Sequence, residues 1–191
     1  MENHPLNFIL FGRSGSGKGT QAELLAKEFP NMLRLSSGDL MRHLAKEDTD
    51  AGKMIKEALK TGGLPFAKIA STLWMHKIAY ELKESQGLIC DGFPRRVEEA
   101  EDLYEFLKWL KRIDDIKVFL INISREEAFK RLIERGRADD HAKAINERLD
   151  WFDEFVMPAV TFFDKKGLLI EINGEQSIEK IHEDILVKIK L

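Results

Sequence analysis

Short apolar runs rich in Ile, Leu, Val and Phe alternate along the chain with longer stretches in which apolar positions recur every three or four residues. The short runs fall at 8–11, 88–90, 118–123 and 168–172, with a briefer one at 32–35. A continuous apolar run of this length reads as a strand buried on both faces. The longer stretches, at 21–29, 97–110, 125–135, 145–163 and 178–189, carry the helical period. Strands alternating with helices predict an α/β fold, a doubly wound parallel sheet of about five strands covered on both faces. Between 40 and 84 the pattern is helical with no strong strand, which predicts an all-helical excursion between two strands.

No repeat, low-complexity tract or linker divides the sequence, and 191 residues are enough for one domain with a core of its own. Apolar residues make up 43% and charged residues 33%, with a net charge of −3. That balance argues against a nucleic-acid binder, which needs clustered basic residues, so any anion binding must be local. No apolar stretch approaches the roughly 18 residues of a membrane span. With no signal-peptide pattern at the start, the expectation is a cytoplasmic monomer. The one cysteine, Cys90, lies in an apolar run and reads as a buried thiol. The five histidines show no metal-ligand spacing. Trp74, Trp109 and Trp151 sit in helical patterns and read as packing residues.

The chemistry begins after the first apolar run, where Gly12-Arg13-Ser14-Gly15-Ser16-Gly17-Lys18-Gly19-Thr20 leads into a helical stretch. Glycines let the backbone turn so that successive N–H groups point inward, the following helix offers its positive end, and Lys18 adds an ammonium. A polyphosphate is the ligand this arrangement suits. A second loop, Asp91-Gly92-Phe93-Pro94-Arg95, follows the run at 88–90, beyond the carboxyl end of a predicted strand, where open sheets bind ligands. Its acid can hold metal-bound water and its arginine offers a planar fork for phosphate oxygens. Asp39 reads as a cap at the start of a helix.

Gly17-Lys18-Gly19-Thr20-Gln21, with glycine rather than Ser or Thr after the lysine, resembles the phosphate loop of nucleoside monophosphate kinases of the adenylate kinase family. The likeness continues through Ser36-Ser37-Gly38-Asp39-Leu40-Met41-Arg42, the Asp91 to Arg95 loop, and Arg135-Gly136-Arg137-Ala138-Asp139-Asp140 with Arg148 beyond. It implies transfer of a phosphoryl group from Mg-ATP to AMP. UMP/CMP and GMP kinases share the same chemistry, and a P-loop ATPase or partner-binding switch would use the same donor loop without needing the extra arginines. By the resemblance, Gly15, Ser16, Gly17, Lys18, Gly19 and Thr20 hold ATP, with Gln176 near its adenine. Asp91 and Thr20 stand near Mg²⁺, largely through water, and no zinc is implied. Ser37, Arg42, Gly63, Leu64, Pro65, Gly92, Phe93, Pro94, Arg95 and Glu99 belong to the AMP side. Arg131 and Arg135 face ATP, Arg137 and Arg148 bridge to the acceptor phosphate, and Asp139 and Asp140 orient these arginines.

The implied organisation is a core of 1–35, 86–134 and 141–191, a monophosphate-binding subdomain at about 36–85 and a vestigial lid at about 135–140. Four positions depart from the family pattern: Ser14, Pro65 and Ser37 stand where proline, valine and, in adenine-specific members, threonine are usual, and Glu99 stands where a glutamine reads AMP. A carboxylate can only accept hydrogen bonds, so Glu99 implies relaxed discrimination against GMP unless the helix turns it to solvent.

Overall fold

The structure, a computed structural model, describes residues 5–61, 66–137 and 140–190. Its centre is a parallel sheet of five strands: β1 (Asn7–Phe11), β2 (Met32–Ser36), β3 (Gly87–Asp91), β4 (Ile116–Asn122) and β5 (Leu169–Asn173). The order is β2-β3-β1-β4-β5. Strict alternation within the inner strands divides the core in two. Ile9 and Phe11, Leu88 and Cys90, and Val118 and Leu120 face one side. Phe8 and Leu10, Ile89, and Phe119 and Ile121 face the other. Both sets are almost fully buried, which explains why these strands read as continuous apolar runs.

Helices cover each face. On the first lie α4 (Ala67–Glu81), α5 (Val97–Trp109) and α8 (Met157–Asp164); on the second lie α1 (Lys18–Glu28) and α9 (Ile178–Ile189). Trp74 of α4 is fully buried and stacks on Phe93, with centroids 5.3 Å apart. Each large apolar side chain buried here contributes about 1.5–3 kcal/mol. Trp109 is not a packing residue: it is 76% exposed, stacked only on Phe106 of its own helix. Between β2 and β3 the chain forms α2 (Ser37–Leu44), α3 (Asp50–Thr61) and α4, so among the described residues the excursion at 40–84 consists of helices and the turns that join them, with no strand.

The stretch at 145–163 is not one helix. It divides into α7 (Ala142–Trp151), a π turn (Phe152–Val156) and α8. Pro158 has no N–H to give Glu154, and the Met157 N–H instead bonds back to the Phe152 carbonyl, which widens the turn. Before α7 lies α6 (Arg125–Arg135), separated from it by 136–141.

Register decides where the site falls. Asp91 pairs with Leu10 on one side and Ser36 on the other, so β1, β2 and β3 end level with one another. The loops that begin at Gly12, Ser37 and Gly92 therefore emerge side by side at the carboxyl edge, next to the strand where the winding reverses. Among the described residues no helix is long and apolar enough to cross a membrane.

Candidate active site

A cavity of ≈ 570 Å³ opens at this edge. The donor loop forms one wall. Gly15 and Gly17 adopt φ of 88° and 87°, a left-handed backbone open to glycine. Gly17 caps α1 without any side-chain hydrogen bond, and the first turn holds no acid. By contrast α2, α6 and α9 are each capped by a serine: Ser36, Ser124 and Ser177. The first N–H groups of α1 are thus left for an anion. Gly15, Gly17, Lys18, Gly19 and Thr20 line the cavity; Ser16 is buried behind it, its hydroxyl without a hydrogen-bond partner.

Lys18 donates to the Arg13 carbonyl at 3.4 Å. Burial lowers its pKa to about 8; Asp91 opposes the shift, while Arg95, Arg135 and Arg137 add to it. Four cations from three separate segments therefore repel one another across one cavity, a field that favours a ligand of several negative charges.

The acceptor wall is knit from short contacts. Arg95 donates from Nε to the Gly92 carbonyl at 2.8 Å and from Nη2 to Ser37 Oγ at 3.0 Å, while Ser37 Oγ donates to the same carbonyl at 2.5 Å. Burial acts against the Arg95 charge, Glu99 and Asp91 support it, and Arg42 opposes it. Gly92, Phe93 and Pro94 line the cavity, and the Phe93 ring, buried against Trp74, anchors the loop. Arg42 reaches the cavity from α2, held by Asp39 at 2.5 Å. Asp39 is not the helix cap: Ser36 fills that role, accepting from the Asp39 N–H at 3.3 Å, because it stands at the last extended position before the first turn. Glu99 does not turn to solvent. It is 5% exposed and lines the cavity, because its Oε2 accepts from the Arg95 N–H at 3.2 Å across the start of α5.

The third wall is cationic. Arg131, Arg135, Arg137 and Arg148 all line the cavity. Asp140 organises three of them: it accepts from Arg135 Nε and Nη2, each at 2.8 Å, from Arg148 Nη2 at 2.9 Å and from the Arg137 N–H at 3.2 Å. Burial alone would raise the Asp140 pKa, but these bonds, led by Arg135, hold it below the ordinary carboxylate value. Arg131 instead bonds Glu127 at 2.7 Å. Gly63, Leu64, Pro65 and Asp139 lie outside the described residues. Gln176 is apart from the cavity lining, its amide donating to the Asn173 carbonyl and Asp184.

Asp91 ends β3 beside α1: a Cβ at Gly19 would stand 3.5 Å from its Oδ2. With Thr20 exposed at the same edge, this is a sparse oxygen set, and no cluster of three or more His, Cys, Asp or Glu suited to a metal occurs among the described residues. One carboxylate, a hydroxyl and ligand phosphates fit Mg²⁺, which keeps most of its waters. Sequence reasoning missed Arg34, which lines the cavity and donates to Asp91 at 3.3 Å. A charged residue inside the otherwise apolar run at 32–35 was the available signal.

Comparison with known proteins agrees with this geometry. The adenylate kinase family model matches residues 10–168. The chain is 36% identical to the adenylate kinase of Parabacteroides distasonis over 184 residues, 92% of this chain and 93% of that protein. It is 34% identical to the adenylate kinase of Nautilia profundicola, covering 96% and 95%, and 34% identical to UMP-CMP kinase 1 of Oryza sativa subsp. japonica, covering 93% of this chain and 71% of that protein. The chain belongs to the adenylate kinase family and is a phosphotransferase.

Proposed function

We propose that this enzyme transfers the terminal phosphoryl group of Mg-ATP to AMP, reversibly, giving two ADP. One observation carries the reading: a single cavity is lined by the donor loop with Lys18, by Arg42 and Arg95 on the acceptor side, and by the arginines around Asp140. A switch or simple ATPase has no use for the second set of cations. In this reading the N–H groups at the start of α1 and Lys18 bind the donor phosphates. Arg42 and Arg95 hold the acceptor phosphate, one oxygen of which attacks the γ-phosphorus as the bond to the β–γ bridging oxygen breaks. Arg135, Arg137 and Arg148 neutralise charge on the moving group. Little covalent work falls to the protein, so alignment and electrostatics supply most of the rate. Asp91 and Thr20 would hold Mg²⁺, largely through water, and the ion would supply positive charge to offset that of the phosphates.

The same reading takes 36–85 as the acceptor subdomain, 135–140 as a short lid, and the enzyme as a cytoplasmic monomer. Its test is ADP formation from Mg-ATP with each of five monophosphates and with none. Rapid ADP formation dependent on AMP is expected. Equal ADP formation with and without every monophosphate would make it an ATPase and overturn the reading.

A further inference from the structure

Arg13 is a donor-loop residue whose side chain leaves the loop. Its Nη2 donates to Asp153 Oδ1 at 2.7 Å and its Nη1 to the Ile123 carbonyl at 3.0 Å, while its Cζ lies 4.8 Å from the centre of the Phe152 ring. Phe152 and Asp153 open the π turn that continues directly from α7, the helix bearing Arg148. At the same time the Arg13 carbonyl accepts from the Ser16 N–H at 3.0 Å and from the Lys18 ammonium at 3.4 Å. One residue thus joins the ammonium of the donor loop to the π turn. The acceptor loop reaches that turn as well: Arg96, next after Arg95, places its Cζ 4.4 Å from the centre of the Phe155 ring.

We propose that Arg13 is a positioning residue that clamps the donor loop to the π turn, fixing the distance between Lys18 and Arg148, with Arg96 on Phe155 holding the acceptor loop to the same turn. A planar guanidinium suits the task, because it bonds a carboxylate and a carbonyl at once while its face lies on an aromatic ring. The Arg13 Nε is buried with no hydrogen-bond partner, so loop backbone and ring contact, rather than a full set of bonds, hold the stem. Alignment of two phosphates is sensitive to small displacements, so loosening this clamp should slow the transfer step more than it weakens binding. The inference rests on the proposed roles of Lys18 and Arg148.

The experiment compares Arg13→Ala, Asp153→Asn and their double variant with the wild type, reading kcat and both KM values with thermal unfolding alongside. Lys166→Ala is the control, since the Lys166 ammonium lies 4.0 Å from the centre of the Tyr104 ring and 4.7 Å from that of Phe162, and neither ring belongs to the donor loop or the π turn. Arg13→Ala should lower kcat about tenfold with each KM within about threefold, and the double variant should be no slower than Arg13→Ala because both variants break the same Arg13–Asp153 contact. Lys166→Ala should keep the wild-type kcat. Wild-type kcat in Arg13→Ala, additive losses in the double variant, or an equal loss in Lys166→Ala would each overturn the proposal. If Arg13→Ala does not fold, Asp153→Asn alone decides: a kcat loss with unchanged KM supports the clamp and wild-type kcat refutes it. Lys18→Ala separates the two levels, because active Lys18→Ala sinks the site assignment itself, whereas inactive Lys18→Ala with fully active Arg13→Ala sinks only the clamp.

Discussion

The donor loop and the arginine passage at 135–148 meet the same problem, phosphate charge, with opposite materials. The donor loop offers backbone N–H groups fixed by glycine geometry and by packing between β1 and α1, with Lys18 as its one lysine. The arginine passage offers long side chains from α6, α7 and the connection between them, and the Asp140 carboxylate gathers the guanidinium groups of Arg135 and Arg148 together with the Arg137 N–H. Backbone amides are placed by the fold and lose little entropy when a ligand arrives; arginines must be ordered, at up to about 2 kcal/mol of side-chain freedom each. Asp140 orders Arg135 and Arg148 before substrate comes. The difference predicts that the first region fails by loss of charge and the second by loss of orientation.

Removing the donor charge should have the largest effect. Lys18→Ala is expected to reduce transfer about a thousandfold, roughly 4 kcal/mol, without loss of fold, because its ammonium faces the cavity rather than the core. A coupled assay for ADP, with thermal unfolding as the control, checks it. Turnover near that of the wild type would mean that backbone amides alone suffice.

Asp140→Asn tests the other region. The arginines keep their charge but lose the acceptor that holds them, so kcat should fall about thirtyfold, roughly 2 kcal/mol, through misalignment. The substitution also carries a pH signature. A carboxylate whose pKa is lower in the folded state stabilises the fold above its unfolded pKa, about 3.9, and loses that contribution as pH falls through the folded value. The wild type should therefore melt above Asp140→Asn near neutral pH, and the gap should close on acidification. A gap that persists in strong acid would show that Asp140 contributes by packing alone.

The same contrast explains what the sequence disclosed. Glycines and a lysine between a strand and a helix leave a contiguous trace, so the strand-loop-helix order of the donor loop was legible, and the strands were located to within about two residues at each end. Contacts made at a distance leave none. Nothing local in Arg13 points to Asp153, 140 positions away, or in Arg34 to Asp91. Helical periodicity ran through Phe152–Val156 because a π turn shifts the register by one residue without interrupting the apolar pattern; Pro158 was the only mark of it. Asp39 was read as a cap for a similar reason. It is a good capping residue by type, but the strand extends to Ser36 and places the cap three residues earlier.

The smallest expected effect lies on the acceptor wall and concerns the base. Glu99 lines the cavity with one oxygen committed to the Arg95 N–H, and burial raises its pKa, with Glu98 adding to the shift and Arg95 and Arg96 opposing it. An ionised Glu99 can accept from the exocyclic amine of adenine but leaves the ring nitrogen without a donor, while guanine presents two donors that suit a carboxylate. Once protonated, the same side chain both donates and accepts, as glutamine would. Preference for AMP over GMP should therefore rise as pH falls toward the raised pKa, and Glu99→Gln should hold that preference constant with pH. Near neutral pH the variant should favour AMP over GMP about tenfold more than the wild type, the value of one mismatched polar contact. The ratio of kcat/KM for the two monophosphates, followed from neutral into acidic pH in both proteins, checks this, and flat, identical ratios would show that Glu99 holds the Arg95 N–H without reading the base.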